Sequence, residues 1–195
     1  MFNDKYRLTQ AVLDGRKTQT RRIVTFCGNL YNKALKYYTL NSVESFKKAL
    51  IEFSPYQVGE EVAVAQSYKS VADKDHNFCI PNAKGFFNKM FVRADLMPHR
   101  IKITNISVER LQDISEEDCI KEGVREHKGM TPEKYPKKWS CFTCNGLGVR
   151  REKYFEDTVF FTGREAFAAL IDKVSGKGTW ESNPYVFVYD FELIR

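Results

Sequence analysis

Gly15-Arg16-Lys17-Thr18-Gln19-Thr20-Arg21-Arg22 sets four cations and two hydroxyls within eight residues. It follows a segment, residues 4–14, in which Leu8, Ala11 and Val12 recur at helical spacing, and Gly15 is placed to stop that helix. A glycine there lets the chain turn sharply, because positive φ carries no Cβ penalty. The donors beyond the turn can converge on an anion: guanidinium forks from Arg16, Arg21 and Arg22, a point charge from Lys17, and bridging hydroxyls from Thr18 and Thr20. The competing reading of the same residues is an exposed basic turn.

Outward from this run, helical and strand patterns alternate. Val43, Phe46, Leu50 and Phe53 share one helical face over 42–53, ending before Pro55. Val58-Gly59-Glu60 reads as a turn into a strand over 61–68. Residues 69–90 are polar, punctuated by Pro81 and Gly85. Residues 100–111 alternate through Ile101, Ile103, Ile106 and Val108, a half-buried strand with one irregularity. Ser115 opens a short helix with a capping-box-like start, and Gly123 ends it. Thr162-Gly163-Arg164-Glu165 is a capping box for a helix with Phe167, Leu170, Ile171 and Val174 on its apolar face, stopped at Gly176. Pro184 leads into a last strand with Tyr185, Phe187, Tyr189, Phe191 and Leu193 on one face. Short strands separated by short helices give an α+β fold, a small mixed sheet or barrel rather than a parallel doubly wound sheet.

Composition limits the function classes. The chain has 195 residues, 43% of them hydrophobic and 29% charged, enough for a packed core in one domain enlarged by loops. Its net charge of +6 is unevenly spread. Residues 1–50 carry +7 and 121–153 carry +5, while 51–120 and 154–195 carry −3 each. Brought together, the two basic segments would suit a phosphate-bearing partner. No apolar run approaches the roughly 20 residues of a membrane span, and the polar start lacks a secretory pattern. Five irregularly spaced cysteines argue against a disulfide framework. A reduced, cytoplasmic protein is expected, without membrane association and without a cofactor.

The run at 15–22 resembles the Gly-x-Lys-Thr-x-(Glu or Thr)-x-Arg signature of ASCH domains, a family with a PUA-like β-barrel. The order downstream is similar too: an insertion, the Val58-Gly59-Glu60 turn, the strand through Ile101 and Val108, Leu111-x-x-Ile114-Ser115 entering a short helix, and an aromatic closing strand. The wording of both ends, FNDKY through GRKTQTRR and GKGTWESNPYVF to the last residue, looks like bacterial and phage ASCH-domain proteins of unassigned role. The resemblance covers most of the chain and implies one PUA-like (ASCH) domain over 1–195, with flanking short helices and long insertions at 24–54, 69–95 and 124–160.

The resemblance implies two functions. PUA-like folds are associated with RNA, so the signature cleft is expected to bind RNA, a nucleoside or a nucleobase, with Arg16, Thr18, Arg21 and Arg22 as contacts. One bacterial branch of the family hydrolyses the amide of N4-acetylcytidine with a Lys, a Thr and a Glu. Positions three and six of the signature are Lys17 and Thr20, and Glu122 lines up with the Glu, although Glu116 and Glu117 share its helix. In that alternative Thr20 attacks or holds a water, Lys17 takes its proton, Glu122 protonates the leaving nitrogen or is itself the base, and Arg22 orients the carbonyl or stabilises developing negative charge. A third possibility is a non-catalytic protein-interaction module whose insertions dock a partner.

Other features compete. Cys141-Phe-Thr-Cys144-Asn-Gly146-Leu-Gly148 looks like one repeat of a DnaJ-type zinc finger. One such pair supplies two thiolates where structural zinc takes four ligands. His127 or Cys119 would have to complete the site, so the expectation is no metal. His76, His99 and His127 lie far apart, without ligand or triad spacing. The aromatics of 185–191 read as barrel core rather than a stacking surface. Tyr37, Tyr38, Trp139 and Trp180 are the better stacking candidates. Trp139 lies beside Lys137 and Lys138, suiting a nucleobase and its phosphate.

Overall fold

A computed structural model describes residues 2–25, 42–72, 83–126, 139–140, 159–160 and 162–194. In chain order its strands are β1 (Gln19–Ile23), β2 (Glu61–Ala63), β3 (Arg100–Arg110), β4 (Arg125–Glu126), β5 (Trp139–Ser140), β6 (Val159–Phe160) and β7 (Tyr185–Ile194). The helices are α1 (Leu8–Leu13), α2 (Val43–Glu52), α3 (Tyr68–Ala72), α4 (Glu116–Lys121), α5 (Gly163–Ser175) and α6 (Thr179–Ser182).

Strands in the order β1-β7-β3-β2 form a curled, half-barrel sheet, and β4-β5-β6 form a small second one. The α+β class stands, but among the described residues every pairing is antiparallel rather than mixed. The β3–β7 ladder is the spine, running from Arg100↔Ile194 to Arg110↔Tyr185. Its register shifts between Ile103 and Asn105, the irregularity expected from the sequence. The extra residue restores Ile106 and Val108 to the face used by Ile101 and Ile103.

Both faces of β7 are covered, so its alternation sorts residues between two cores. Phe187, Tyr189 and Phe191 join Leu8, Ala11, Val12, Phe46 and Leu50 on one side. Val186 and Val188 join Leu111, Ile114, Cys119, Val124, Phe167 and Ile171 on the other. The aromatics of β7 are therefore core, as the sequence indicates. Trp180 differs from expectation: its ring packs edge-on to Phe167 at 6.2 Å and lies partly buried against the second core.

Helix ends follow local chemistry. The Ser115 hydroxyl accepts from Asp118 N at 3.0 Å and the Thr162 hydroxyl from Glu165 N at 3.1 Å, the N-caps expected of both residues. Two expectations need correction. The strand after Gly59 ends at Ala63, and Tyr68 opens α3 instead of closing a strand. Tyr68 N donates to Gly85 O at 3.0 Å, and the Ser67 hydroxyl accepts from Ser70 N at 3.2 Å, which starts a helix there. On α2 the buried residues are Phe46, Ala49 and Leu50, while Val43, in the first turn, is 49% exposed.

Candidate functional site

The signature is not one anion-binding turn. Gly15, at φ +71°, ends α1, and the amides of Arg16 and Lys17 both donate to Ala11 O. Arg16 stays at the surface, paired with Asp14 at 2.8 Å. From Gln19 the chain is a strand, β1, and its pleat sends Gln19 and Arg21 to one face and Thr20 and Arg22 to the other. Thr18 serves through its backbone, donating to Lys121 O and accepting from Phe191 N.

Lys17 is drawn inward, with its side chain 2% exposed. Its Nζ donates to Gln19 O at 2.7 Å, to Glu122 O at 2.9 Å and to Glu122 Oε2 at 2.5 Å, which uses all three ammonium hydrogens. Burial lowers the Lys17 pKa from its usual 10.5; Glu122 opposes that shift, and the charges of Arg22 and Arg21 add to it. Glu122 caps the C-terminus of α4, where Gly123 at φ +103° turns the chain away.

Arg21 shares Glu122, with Nη1 3.2 Å from Oε1. Its guanidinium also bonds Glu109 at 2.7 and 2.9 Å, Asp118 at 3.2 Å and Gln19 Oε1 at 2.5 Å, and lies 5.9 Å from the Phe167 ring centre. Arg21, expected among the ligand contacts, is therefore the hub of a buried cluster in which two cations face three carboxylates. The sequence does not mark Gln19, Glu109 or Asp118 as site residues. The signal that finds Gln19 is the period-two pleat of β1; Glu109 and Asp118 are nearly 90 or more positions away.

Asp118 carries a pH prediction. Burial pushes its carboxyl up, but the Lys121 hydrogen bond and the Arg21 charge outweigh that and hold its pKa below the usual 3.8. Below that value the unfolded chain takes up a proton that the native carboxylate still refuses. Asp118 thus contributes stability above pH 3.8 that is lost as pH falls through the native pKa. In urea titrations across this range, Asp118→Asn should flatten that part of the acid limb; an unchanged limb would contradict the assignment.

The other face of β1 opens on a cleft. Thr20 and Arg22 line it with Phe2, Tyr56, Tyr189, Ile101 and Ile103 among its walls. Its volume is about 40 Å³, room for about three water molecules. Tyr56 meets Tyr189 edge-on at 5.5 Å, and the Tyr189 hydroxyl is bonded to Ser54 at 2.7 Å. Among the described residues, no hydrogen bond joins the Thr20 hydroxyl to Lys17 or Glu122. Lys17 does not line the cleft; its Nζ lies 5.9 Å from the ring centre of Phe2, which does. The structure brings Lys17 and Glu122 together and puts Thr20 in the cleft on the other face of β1.

Trp139 pairs with Glu126 and Phe160 in the second sheet. Cys141, Cys144 and His127 lie outside the described residues, as do Tyr37, Tyr38 and His76. Cys119 is fully buried in the second core, and burial raises its thiol pKa to about 12, so it stays protonated and inert. Among the described residues no helix is long and apolar enough to cross a membrane.

Compared with known proteins, the chain matches no family model, no curated relative and no solved structure.

Proposed function

We propose that the cleft beside Thr20 binds a nucleobase, either free or as part of a nucleoside or an RNA segment. The observation that carries this reading is the pairing of two hydrogen-bonding side chains, Thr20 and Arg22, with aromatic walls from Phe2, Tyr56 and Tyr189. Ligand sites combine apolar walls with a few placed polar groups, and a flat, polar-edged ring fits such walls. At about 40 Å³ the cleft admits an edge of a ring, which leaves sugar and phosphate at its mouth. The likeness of residues 15–22 to the ASCH signature, and the curled antiparallel sheet with short helices, agree with a PUA-like barrel around this cleft.

The test is a calorimetric or NMR titration with cytidine and uridine. Thr20→Val removes one hydrogen bond and Arg22→Met a charged one. The expected losses are about 3- to 10-fold and about 10- to 100-fold in affinity. Wild-type protein that binds neither nucleoside, or Thr20→Val that binds as well as wild type, would sink the reading.

Amide hydrolysis of N4-acetylcytidine is the second reading, favoured by the 2.5 Å contact between Lys17 Nζ and Glu122 Oε2. A proton passed from Lys17 to Glu122 leaves a neutral amine and a carboxylic acid. The amine can then take the proton of Thr20 or of a water it holds, and the acid can protonate the departing cytosine nitrogen. Burial, which lowers the Lys17 pKa, favours the neutral amine. Incubation with acetylcytidine should release cytidine and acetate, and Thr20→Val should slow this at unchanged stability. No release by the wild type removes this reading and leaves the binding one standing.

A further inference from the structure

Residues 83–93 read Ala-Lys-Gly-Phe-Phe-Asn-Lys-Met-Phe-Val-Arg: three aromatics and three cations with no carboxylate. They form a pinned surface. Tyr68, 3% exposed, donates its amide to Gly85 O and accepts at its hydroxyl from Arg93 N at 2.9 Å. Lys69 N donates to Phe86 O at 3.1 Å. Gly85 lies so close that a Cβ there would meet the Tyr68 ring at 2.6 Å. On this base three large apolar side chains face outward: Phe87 at 77% exposure, Met90 at 70% and Phe91 at 57%.

Neighbouring apolar side chains this exposed mark an interaction surface, and the charges around them define the partner. Lys69, Lys84 and Arg93 are all exposed, and Lys69 Nζ lies 5.5 Å from the Phe87 ring centre. Among the described residues the one carboxylate bonded to these three is Asp95, in a surface pair with Arg93, and such pairs hold little energy. The surface is also tied to the cleft. Lys89 Nζ donates to the carbonyl of Phe2, a cleft wall, and to Asp4 at 2.6 Å and Thr9 at 3.0 Å. Exposed aromatics interleaved with cations suit a partner that is anionic and carries flat rings. Single-stranded nucleic acid has both properties, since every base has a stackable face and every linkage a negative charge.

We propose that Phe87 and Phe91 stack bases of a single-stranded nucleic acid whose phosphates run along Lys69 and Lys84, continuing from the base held in the cleft. This rests on the nucleobase reading of the cleft, which it extends from a nucleoside to a strand.

The probe is a fluorescently labelled ten-uridine RNA, followed by anisotropy across salt concentrations, beside uridine followed by NMR. Phe87→Ala with Phe91→Ala should weaken RNA binding about tenfold or more and leave uridine binding unchanged. Circular dichroism should be unaltered, since both rings are already exposed. Lys69→Gln with Lys84→Gln should flatten the slope of log affinity against log salt by about 1.4. RNA affinity unchanged in the phenylalanine variant overturns the proposal while sparing the cleft. Loss of RNA binding on Thr20→Val alone, with none in the phenylalanine variant, does the same. No uridine binding, with RNA binding that still depends on Phe87 and Phe91, sustains the platform and overturns the cleft reading. Binding to vesicles of anionic lipid, or Phe87-dependent dimers in ultracentrifugation, in place of RNA binding would make the surface a membrane or protein contact and overturn the proposal.

Discussion

Glu122→Leu should cost about 3–5 kcal/mol of stability, the range for removing one partner of a buried ion pair. The carboxylate is 6% exposed and holds two cations at once, Lys17 through Oε2 and Arg21 through Oε1. Their losses differ. Arg21 keeps Glu109, Asp118 and Gln19, so its charge stays compensated. Lys17 keeps only the carbonyls of Gln19 and residue 122, and becomes a buried ammonium without a counter-charge. Lys17→Met should cost less, because the abandoned carboxylate still has Arg21 Nη1 at 3.2 Å. The double variant should cost less than the two single losses together, by about 0.5–3 kcal/mol, the coupling expected of groups in contact. Urea midpoints at constant slope measure all three. A Glu122→Leu variant within about 1 kcal/mol of wild type would mean that water reaches the pair, and the cluster would lose its claim to be buried.

That ordering bears on function. If the cluster were only a tie between β1 and α4, Lys17→Met/Glu122→Leu, well packed, would keep nucleoside binding and any turnover. If it also moves a proton, turnover of acetylcytidine vanishes in the same double variant while binding at Thr20 and Arg22 survives. Stability and turnover therefore have to be measured on the same variants.

How far the sequence discloses this arrangement depends on whether the deciding contacts are local. The caps at Ser115 and Thr162, the bulge in β3 and the aromatic face of β7 are visible because each is set by residues within a few positions. β1 is not. Four cations in eight residues read as a basic turn, and only the cover on both faces of the sheet makes residues 19–23 a strand with Arg21 buried and Arg22 at a cleft. Nor does local pattern disclose the end of β2, since Gly85, which receives Tyr68 N, lies 17 residues further on. Lys17 and Glu122 are 105 positions apart. The family resemblance, not spacing, points to their pairing, and Glu116 and Glu117 on the same helix leave the choice of Glu122 less secure. The structure separates the three: Glu122 turns inward at the end of α4, Glu117 is exposed, and Glu116 accepts from the amides of Gly163 and Arg164 and so closes the start of α5.

Leu50→Ala should cost about 2–5 kcal/mol, although Leu50 lies inside residues 24–54, which the family pattern assigns to an insertion. An appended loop would lose almost nothing. Leu50 is 0% exposed, and Phe46, one turn earlier, packs edge-on to Tyr185 of the closing strand at 5.4 Å. Helix α2 therefore belongs to the same core as β3 and β7. It also leads directly into the cleft: Ser54, two residues past its end, holds the Tyr189 hydroxyl, and Tyr56 forms a wall. Leu50 itself is not a wall, so its variant should show a lower urea midpoint with an unchanged slope and nearly normal nucleoside affinity. A loss below about 1 kcal/mol would return α2 to the status of an appendage. In that case Ser54 and Tyr56 would need another anchor, because a helix that contributes so little cannot fix the hydroxyl of Tyr189 beside Thr20.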